Sequence, residues 1–205
     1  MRRFLLIAHR VPTSGAFTLN DLAGGGGRMD EVARAVSTAF TLSNDLRRDT
    51  EMTIVFSAEP PPAARKVELV GARLRYLNPD ERSTAALLKN ALVRSASFPR
   101  EFESSPGLRV AAVDPAAELR SFLARPGTVW LTESGTRLED GLPPEGDRGF
   151  VLCDPYEPTD GEREILEGSG VPRRSVGPRS LRTSQVIDLV HHAVDVAEAA
   201  REPSG

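Results

Sequence analysis

The sequence predicts an α/β fold, a mostly parallel sheet flanked by helices. Three observations carry this expectation. Short apolar, β-branched runs alternate with helical runs along the 205 residues. Helix starts are punctuated by capping residues, at Asn78-Pro79, Asp114-Pro115 and Thr159 to Glu162. Met29, Val32, Ala33, Val36 and Phe40 fall at the spacing of one buried helical face, directly after four consecutive glycines.

The elements follow in order. Arg3 to His9 reads as a buried strand, and Val11 to Leu19 as a turn-rich connection. The helix after Gly24 to Gly27 runs to about Ser43. Glu51 to Ser57 is a second strand, Glu59 to Pro62 a break, and Lys66 to Leu77 a hairpin around Gly71. Asn78 caps the next helix, with Glu81 completing a box-like arrangement. Phe98 to Pro106 is a loop and Gly107 to Val113 a strand. A helix from Asp114-Pro115 ends before Pro126-Gly127. Thr128 to Leu131 is a short strand, ended by the polar turn Thr132 to Gly135. Gly141 to Gly149 is a loop and Phe150 to Cys153 a strand. Thr159 opens a helix to Glu167, and Arg174 to Gly177 is a brief strand. Ser180 to Ala200 is the last helix, with Val186, Val190, Ala193 and Ala197 on one stripe continued by Val194 and Val196. Residues 201–205 are a frayed tail.

Length and composition narrow the function. The chain suits one domain spanning 1–205, large enough for a sizeable core. No apolar run nears the roughly 20 residues of a membrane span. The opening Met1 to Arg10 has two arginines and an apolar run, but the run is short and ends at His9-Arg10 without a cleavage site. It therefore reads as a strand, and the protein as cytoplasmic. The lone Cys153 excludes an internal disulfide and an all-cysteine metal site. A net charge of −3 argues against indiscriminate nucleic-acid binding, while leaving room for a local basic patch. The glycine run lacks the Gly-Lys-Ser/Thr of a P-loop and the Rossmann spacing. Gly27 and Arg28 stand where a helix begins, so free backbone N–H groups there could receive a phosphate. His191 and His192 are adjacent on a helix and point about 100° apart, which suits a solvated or interface role better than a shared metal. His9 is expected in the core or at the sheet edge, with a place facing the site as the alternative, and Cys153 as structural or site-lining. No metal is implied.

Three segments in register carry a family resemblance: LNDLAGGGGRMD continuing to LSNDLRRD (Leu19 to Asp49), NPDERS (Asn78 to Ser83) and ESSPG (Glu103 to Gly107). On these the chain resembles the archaeal tRNA pseudouridine-54 N1-methyltransferases, the TrmY-type branch of the SPOUT methyltransferases, along nearly its whole length. The resemblance implies a C-terminal trefoil knot, a homodimer and S-adenosylmethionine as methyl donor. It implies a donor pocket made by three loops: Leu131-Thr132, Leu152-Cys153-Asp154, and Val176-Gly177 leading to Leu181 and Val186. Ligands collect at such strand ends in α/β sheets generally. The resemblance implies a tRNA or another structured RNA as partner, gripped by Arg28, Arg47, Arg48 and Arg82 through bidentate phosphate contacts.

N1 methylation needs the N–H proton removed and the nitrogen aimed at the methyl group. Asp30 and Asp80 are the candidate bases, each also a plausible cap or ion-pair partner. The C-terminal third departs from the family pattern. The run Leu181 to Gln185 lacks both histidines of the archaeal LHxxH, and Asp154-Pro155 stands where Asp-His is preferred. Two other functions therefore stay open: a catalytically weakened homologue that binds RNA or a partner, and a SPOUT methyltransferase for a ribosomal RNA.

Overall fold

The computed structural model describes residues 1–57, 64–98, 100–144 and 146–201. The break expected at Glu59 to Pro62 and the tail at 202–205 lie outside them. Seven consecutive buried residues, Arg2–Ala8, form β1, the strand from which the sheet grows in both directions. A strand buried on both faces needs such an unbroken run. Its side chains alternate between two cores. Phe4, Leu6 and Ala8 face one; Leu5 and Ile7 face the other.

The chain continues through α1 (Met29–Phe40), β2 (Thr50–Phe56), β3 (Arg65–Val70), α2 (Glu81–Ser95), β4 (Phe102–Ser105), β5 (Leu108–Ala112) and α3 (Pro115–Leu123). It ends with β6 (Thr128–Arg137), β7 (Arg148–Cys153), α4 (Asp160–Gly168), β8 (Arg173–Ser175) and α5 (Thr183–Ala199). One eight-stranded sheet results, in the order β4-β5-β3-β2-β1-β7-β6-β8. Helices α1, α2 and α5 contribute to the first core, α3 and α4 to the second.

The sheet is mixed rather than mostly parallel. β2, β1, β7, β6 and β8 pair in parallel, while β3, β5 and β4 extend it antiparallel from β2. Only residues 57–64 join β2 to β3, too few for the crossover a parallel neighbour requires.

Several boundaries differ from expectation, each for a local reason. α1 stops at Phe40, where Thr41 turns extended and makes a bridge to Leu46. There is no hairpin around Gly71: β3 ends at Val70 and pairs with β2 and β5 instead. The cap of α2 is Asp80, which accepts from the Ser83 N–H, rather than Asn78. β4 lies in the predicted loop, because a polar edge strand such as Phe102–Ser105 carries no apolar alternation. β6 runs on through the predicted turn to Arg137, its far half pairing only with β8. On α5 the buried stripe is Ile187, Val190, His191 and Val194, and Val196 is exposed.

His191 is a core residue, not a solvated one. Its Nδ1 faces Arg2 Nη1 at 3.2 Å and its Nε2 faces the Ala39 carbonyl at 3.1 Å. An arginine only donates, so the ring carries its proton on Nε2 and is neutral. Burial first, then the charges of Arg47 and Arg2, pull its pKa down to about 3. Around it, Glu198 bridges the buried guanidiniums of Arg2 and Arg148 at 2.8 and 2.5 Å, pinning α5 to the starts of β1 and β7.

Candidate active site

A cavity of about 440 Å³ opens where β6, β7 and β8 end and α5 begins. That volume suits a cofactor-sized molecule. All nine residues assigned from the sequence to the donor line it: Leu131, Thr132, Leu152, Cys153, Asp154, Val176, Gly177, Leu181 and Val186. The loops are held from within. Ser175 Oγ donates to the Gly177 carbonyl and accepts from its N–H, at 2.7 and 3.2 Å. Thr183 Oγ1 donates to the Cys153 carbonyl at 3.0 Å, tying the first residue of α5 to the end of β7. No atom lies within 4 Å of the place a Gly177 Cβ would take, so that position borders open space. Apolar side chains at Leu131, Val176, Leu181 and Val186, set between polar loop groups, fit the flat apolar slot and few polar contacts an adenosyl group needs.

Asp154 lines the cavity, yet its carboxylate turns to His9. Oδ2 accepts from the His9 N–H at 2.8 Å, and Oδ1 lies 2.7 Å from Nδ1. The other ring nitrogen is 2.9 Å from Glu162, the residue that also completes the capping box of α4. Burial alone would lower the His9 pKa; the bonds to Asp154 and Glu162 outweigh it and raise the value to about 9. His9 is therefore a cationic clamp that sets the β7 loop, placed beside the site. Burial pushes the Cys153 thiol well up, with Glu162 and Asp154 adding to it, so it is no nucleophile.

The fourth wall comes from α1. Gly27 and Arg28 both take positive φ, 60° and 71°. In Arg28, which has a Cβ, that conformation is strained. Its side chain binds Asp30 at 3.0 and 3.1 Å and Glu31 at 2.7 Å. Arg28 and Glu31 line the cavity; Asp30 and Asp80 do not. Both Asp30 oxygens are taken by Arg28 and Arg34. Burial raises its pKa, those bonds lower it more, and it stays below the usual carboxylate range. Asp80 is spent on capping α2. Neither is disposed to act as the base.

The glycine run is not an open anion cradle. Asp21 fills it with its own carboxylate, accepting from the Gly24 and Gly25 N–H groups at 2.9 and 2.7 Å, and the buried Asp30 and Glu31 add negative charge at the helix start. The four arginines expected on RNA do not converge. Arg28 is at the cavity. Arg47 is committed to Asp195 at 3.2 and 2.8 Å. Arg48 donates to the Gly71 and Leu74 carbonyls and lines a separate groove with Arg73 and Arg75. Arg82 donates to the Leu19 carbonyl and Asn20. Sequence reasoning missed Glu31, Trp130, Tyr156, Arg179 and Arg182 among the lining residues. Among the described residues, no three His, Cys, Asp or Glu side chains gather as a metal site.

Comparison with known proteins gives the family. A family model described as "Putative SAM-dependent RNA methyltransferase" matches residues 1–199. The tRNA (pseudouridine(54)-N(1))-methyltransferase of Methanosarcina acetivorans is 40% identical over 202 residues, covering 98% of this chain and 94% of the relative. The enzyme of the same name from Haloferax volcanii is 37% identical over 203 residues, covering 98% and 100%. Archaeoglobus fulgidus Nep1, solved with S-adenosylhomocysteine bound, superposes with a TM-score of 0.64 over 97% of this chain and 98% of that one, at 13% identity, a likeness of fold. By the match over residues 1–199 and these full-length relatives, the chain belongs to the SAM-dependent RNA methyltransferase family.

Proposed function

We propose that the chain transfers a methyl group from S-adenosylmethionine to N1 of pseudouridine 54 in the tRNA T-loop. The observation that carries this reading is the convergence of three separate strand ends, each assigned to the donor beforehand, on one cavity. The relatives bearing that activity match over nearly all of their own length. The donor supplies an electrophilic methyl group. The chain's part is to bind the adenosyl group among Leu131, Cys153, Val176, Gly177, Leu181 and Val186, exclude water, and hold the nucleobase in line with that methyl. Arg28 borders the cavity and suits a phosphate beside the target nucleotide. Arg48 and Arg82, both exposed, suit phosphates farther along the RNA, whereas Arg47 is structural.

The finer architecture belongs to the same reading. The whole chain acts as one SPOUT domain. The chain leaves β6 for β7, returns through α4 to β8 on the far side of β6, and then sends α5 back to pack on α1. Such a path suits a trefoil knot. Leu189 and Val196 are exposed on α5 beside Ala193, an apolar face that suits a homodimer. A tRNA substrate suits a cytoplasmic enzyme.

The test is direct. Wild-type protein is incubated with labelled donor and T-loop RNA carrying pseudouridine or uridine at position 54, and the nucleosides are identified by mass. N1-methylpseudouridine from the first RNA alone is expected. Donor binding without product on any tRNA would favour a ribosomal RNA target. Absence of donor binding would leave an RNA- or partner-binding homologue.

A further inference from the structure

The charges that line the cavity are not all answered within the chain. Three arginines line it: Arg28, Arg179 and Arg182. Arg28 is bound to Asp30 and Glu31. Arg179 and Arg182 are exposed, and among the described residues neither guanidinium donates a hydrogen bond. Arg182 Nε stands 3.9 Å from Glu31 Oε1, an oxygen already taken by Arg28 and Arg34 at 2.7 and 2.9 Å. The acidic lining residues are mostly engaged elsewhere. Asp154 is held by His9, and Glu157 pairs with Arg163 at 3.4 Å. Among the described residues, Glu133 is the one lining carboxylate without a partner, set against two free guanidiniums. The backbone that carries the pair is fixed. Ser175 ties the loop at Gly177, the Cys153 carbonyl ties it at Thr183, and the Arg182 N–H donates to Gln185 Oε1 at 3.0 Å. Exposed guanidiniums on a fixed loop beside a cavity, without a counter-ion of their own, suit an anion that arrives from outside the chain.

We infer that Arg179 and Arg182 bind the RNA, gripping phosphates that flank the target nucleotide. This rests on the activity proposed above. Of the arginines expected on RNA from the sequence, Arg47, Arg48 and Arg82 all donate to acceptors within the chain. Arg179 and Arg182 have no such bond to give up, so contact with a phosphate costs the fold nothing. Their place supports the same use. Leu181, between them, and Val186, one turn further on, line the same cavity. A base that reaches a methyl group held there brings its own phosphates to the cavity mouth. Arg28 stands at the start of α1 and the pair stands between β8 and α5, so the backbone can be held from two walls. With a net charge of −3, the protein has little general attraction for RNA, and a local grip favours the docking that leads to reaction. The guanidinium fork also matches the two free oxygens of a phosphodiester. The other anion that could reach this loop is the donor's carboxylate, which the experiment separates.

The test is the double variant Arg179→Gln/Arg182→Gln, read by the salt dependence of its binding to T-loop RNA carrying pseudouridine. Wild type is measured first. RNA binding without methyl transfer would refute the proposed activity and leave the grip to be read from binding alone; no RNA binding even at low salt would overturn the inference as well. Expected for the double variant are RNA affinity weaker by about tenfold or more at about 0.1 M salt, and a slope of log affinity against log salt shallower by about 1.4–1.8, the loss of two phosphate contacts. S-adenosylhomocysteine affinity by calorimetry and the melting curve should stay as in wild type, and saturating RNA should restore most of the transfer rate. Arg179→Lys/Arg182→Lys, which keeps both charges, should keep most of the salt slope. Unchanged RNA affinity and slope in the glutamine variant would overturn the inference. So would a fall in donor affinity as large as the fall for RNA, which would make the pair an anchor for the donor's carboxylate. Should the double variant melt far below wild type, Arg179→Gln alone takes its place, with a slope shallower by about 0.7–0.9 expected and an unchanged slope overturning the inference.

Discussion

Gly27→Ala should cost both stability and methyl transfer, and the structure says why. Gly27 has φ of 60°, and a Cβ there would fall on the Arg10 carbonyl, 2.5 Å from its carbon and closer to its oxygen. The obstacle is backbone, so no rotamer change relieves it. The left-handed conformation alone costs a non-glycine residue about 1–2 kcal/mol, and displacing packed neighbours adds about 1–3 kcal/mol. The total of about 2–5 kcal/mol corresponds to a melting-temperature drop of about 4–20 °C for a chain of this size. The same contact sets the distance between the end of β1 and the start of α1, so relief of the clash displaces Arg28 and Glu31. Thermal unfolding by circular dichroism reads the first effect, and single-turnover transfer to pseudouridine RNA reads the second. Gly161→Ala is the control: its Cβ meets nothing within 4 Å, and it lies in the first turn of α4. A Gly27→Ala protein that melts with the control and transfers methyl at the wild-type rate would refute the reasoning.

Two further outcomes follow from the site. Gly177→Ala adds a methyl to open space at a residue that lines the cavity, so its melting curve should match wild type while donor affinity falls by about 1–3 kcal/mol. Calorimetry with S-adenosylhomocysteine separates the two, and unchanged affinity would move the donor away from the β8 loop. His9 ties stability to pH. Its folded pKa of about 9 lies above the ordinary histidine value of 6.5, so its contribution is complete below about pH 6.5 and is lost as pH rises through 9. At about 1.4 kcal/mol per pH unit the difference is worth at most about 3.5 kcal/mol. Urea unfolding of wild type should weaken between pH 6.5 and 9, and His9→Ala should remove most of that slope; an equal slope in the variant would assign it to other groups.

How much of this was legible beforehand depends on what each signal encodes. Periodicity placed α1 well, because Met29, Val32, Ala33, Val36 and Phe40 repeat at the period of the buried face itself. The donor loops came from resemblance, since no spacing rule brings the ends of β6, β7 and β8 to one cavity. β4 and the second half of β6 escaped notice because they are polar and paired along exposed edges, where burial leaves no pattern. The His191-His192 pair looked solvated because composition cannot show that Arg2 supplies a partner 189 positions away. The apparent phosphate cradle was misjudged for a legible reason. Asp21 stands three residues before Gly24, at the spacing from which an aspartate caps a turn with its own side chain.

Asp30 and Glu31 are neighbours on a helix, about 100° apart, and a sequence cannot say which faces a cavity until the other wall is known. Within five residues the chain concentrates two consecutive positive-φ positions, two buried carboxylates and an unpaired buried oxygen. Each is unfavourable for folding alone. Elsewhere the local choices agree with the fold: Asp114 and Thr159 cap their helices, and Gly71 allows the close approach of Arg47. Strained backbone and buried carboxylates brought together beside the cavity suit a site built to act on a substrate. The same corner makes Arg28 a position expected to tolerate replacement poorly. The same guanidinium holds Glu31 in place, neutralises Asp30 and borders the entrance, so Arg28→Lys would lose the fork that binds two carboxylates at once.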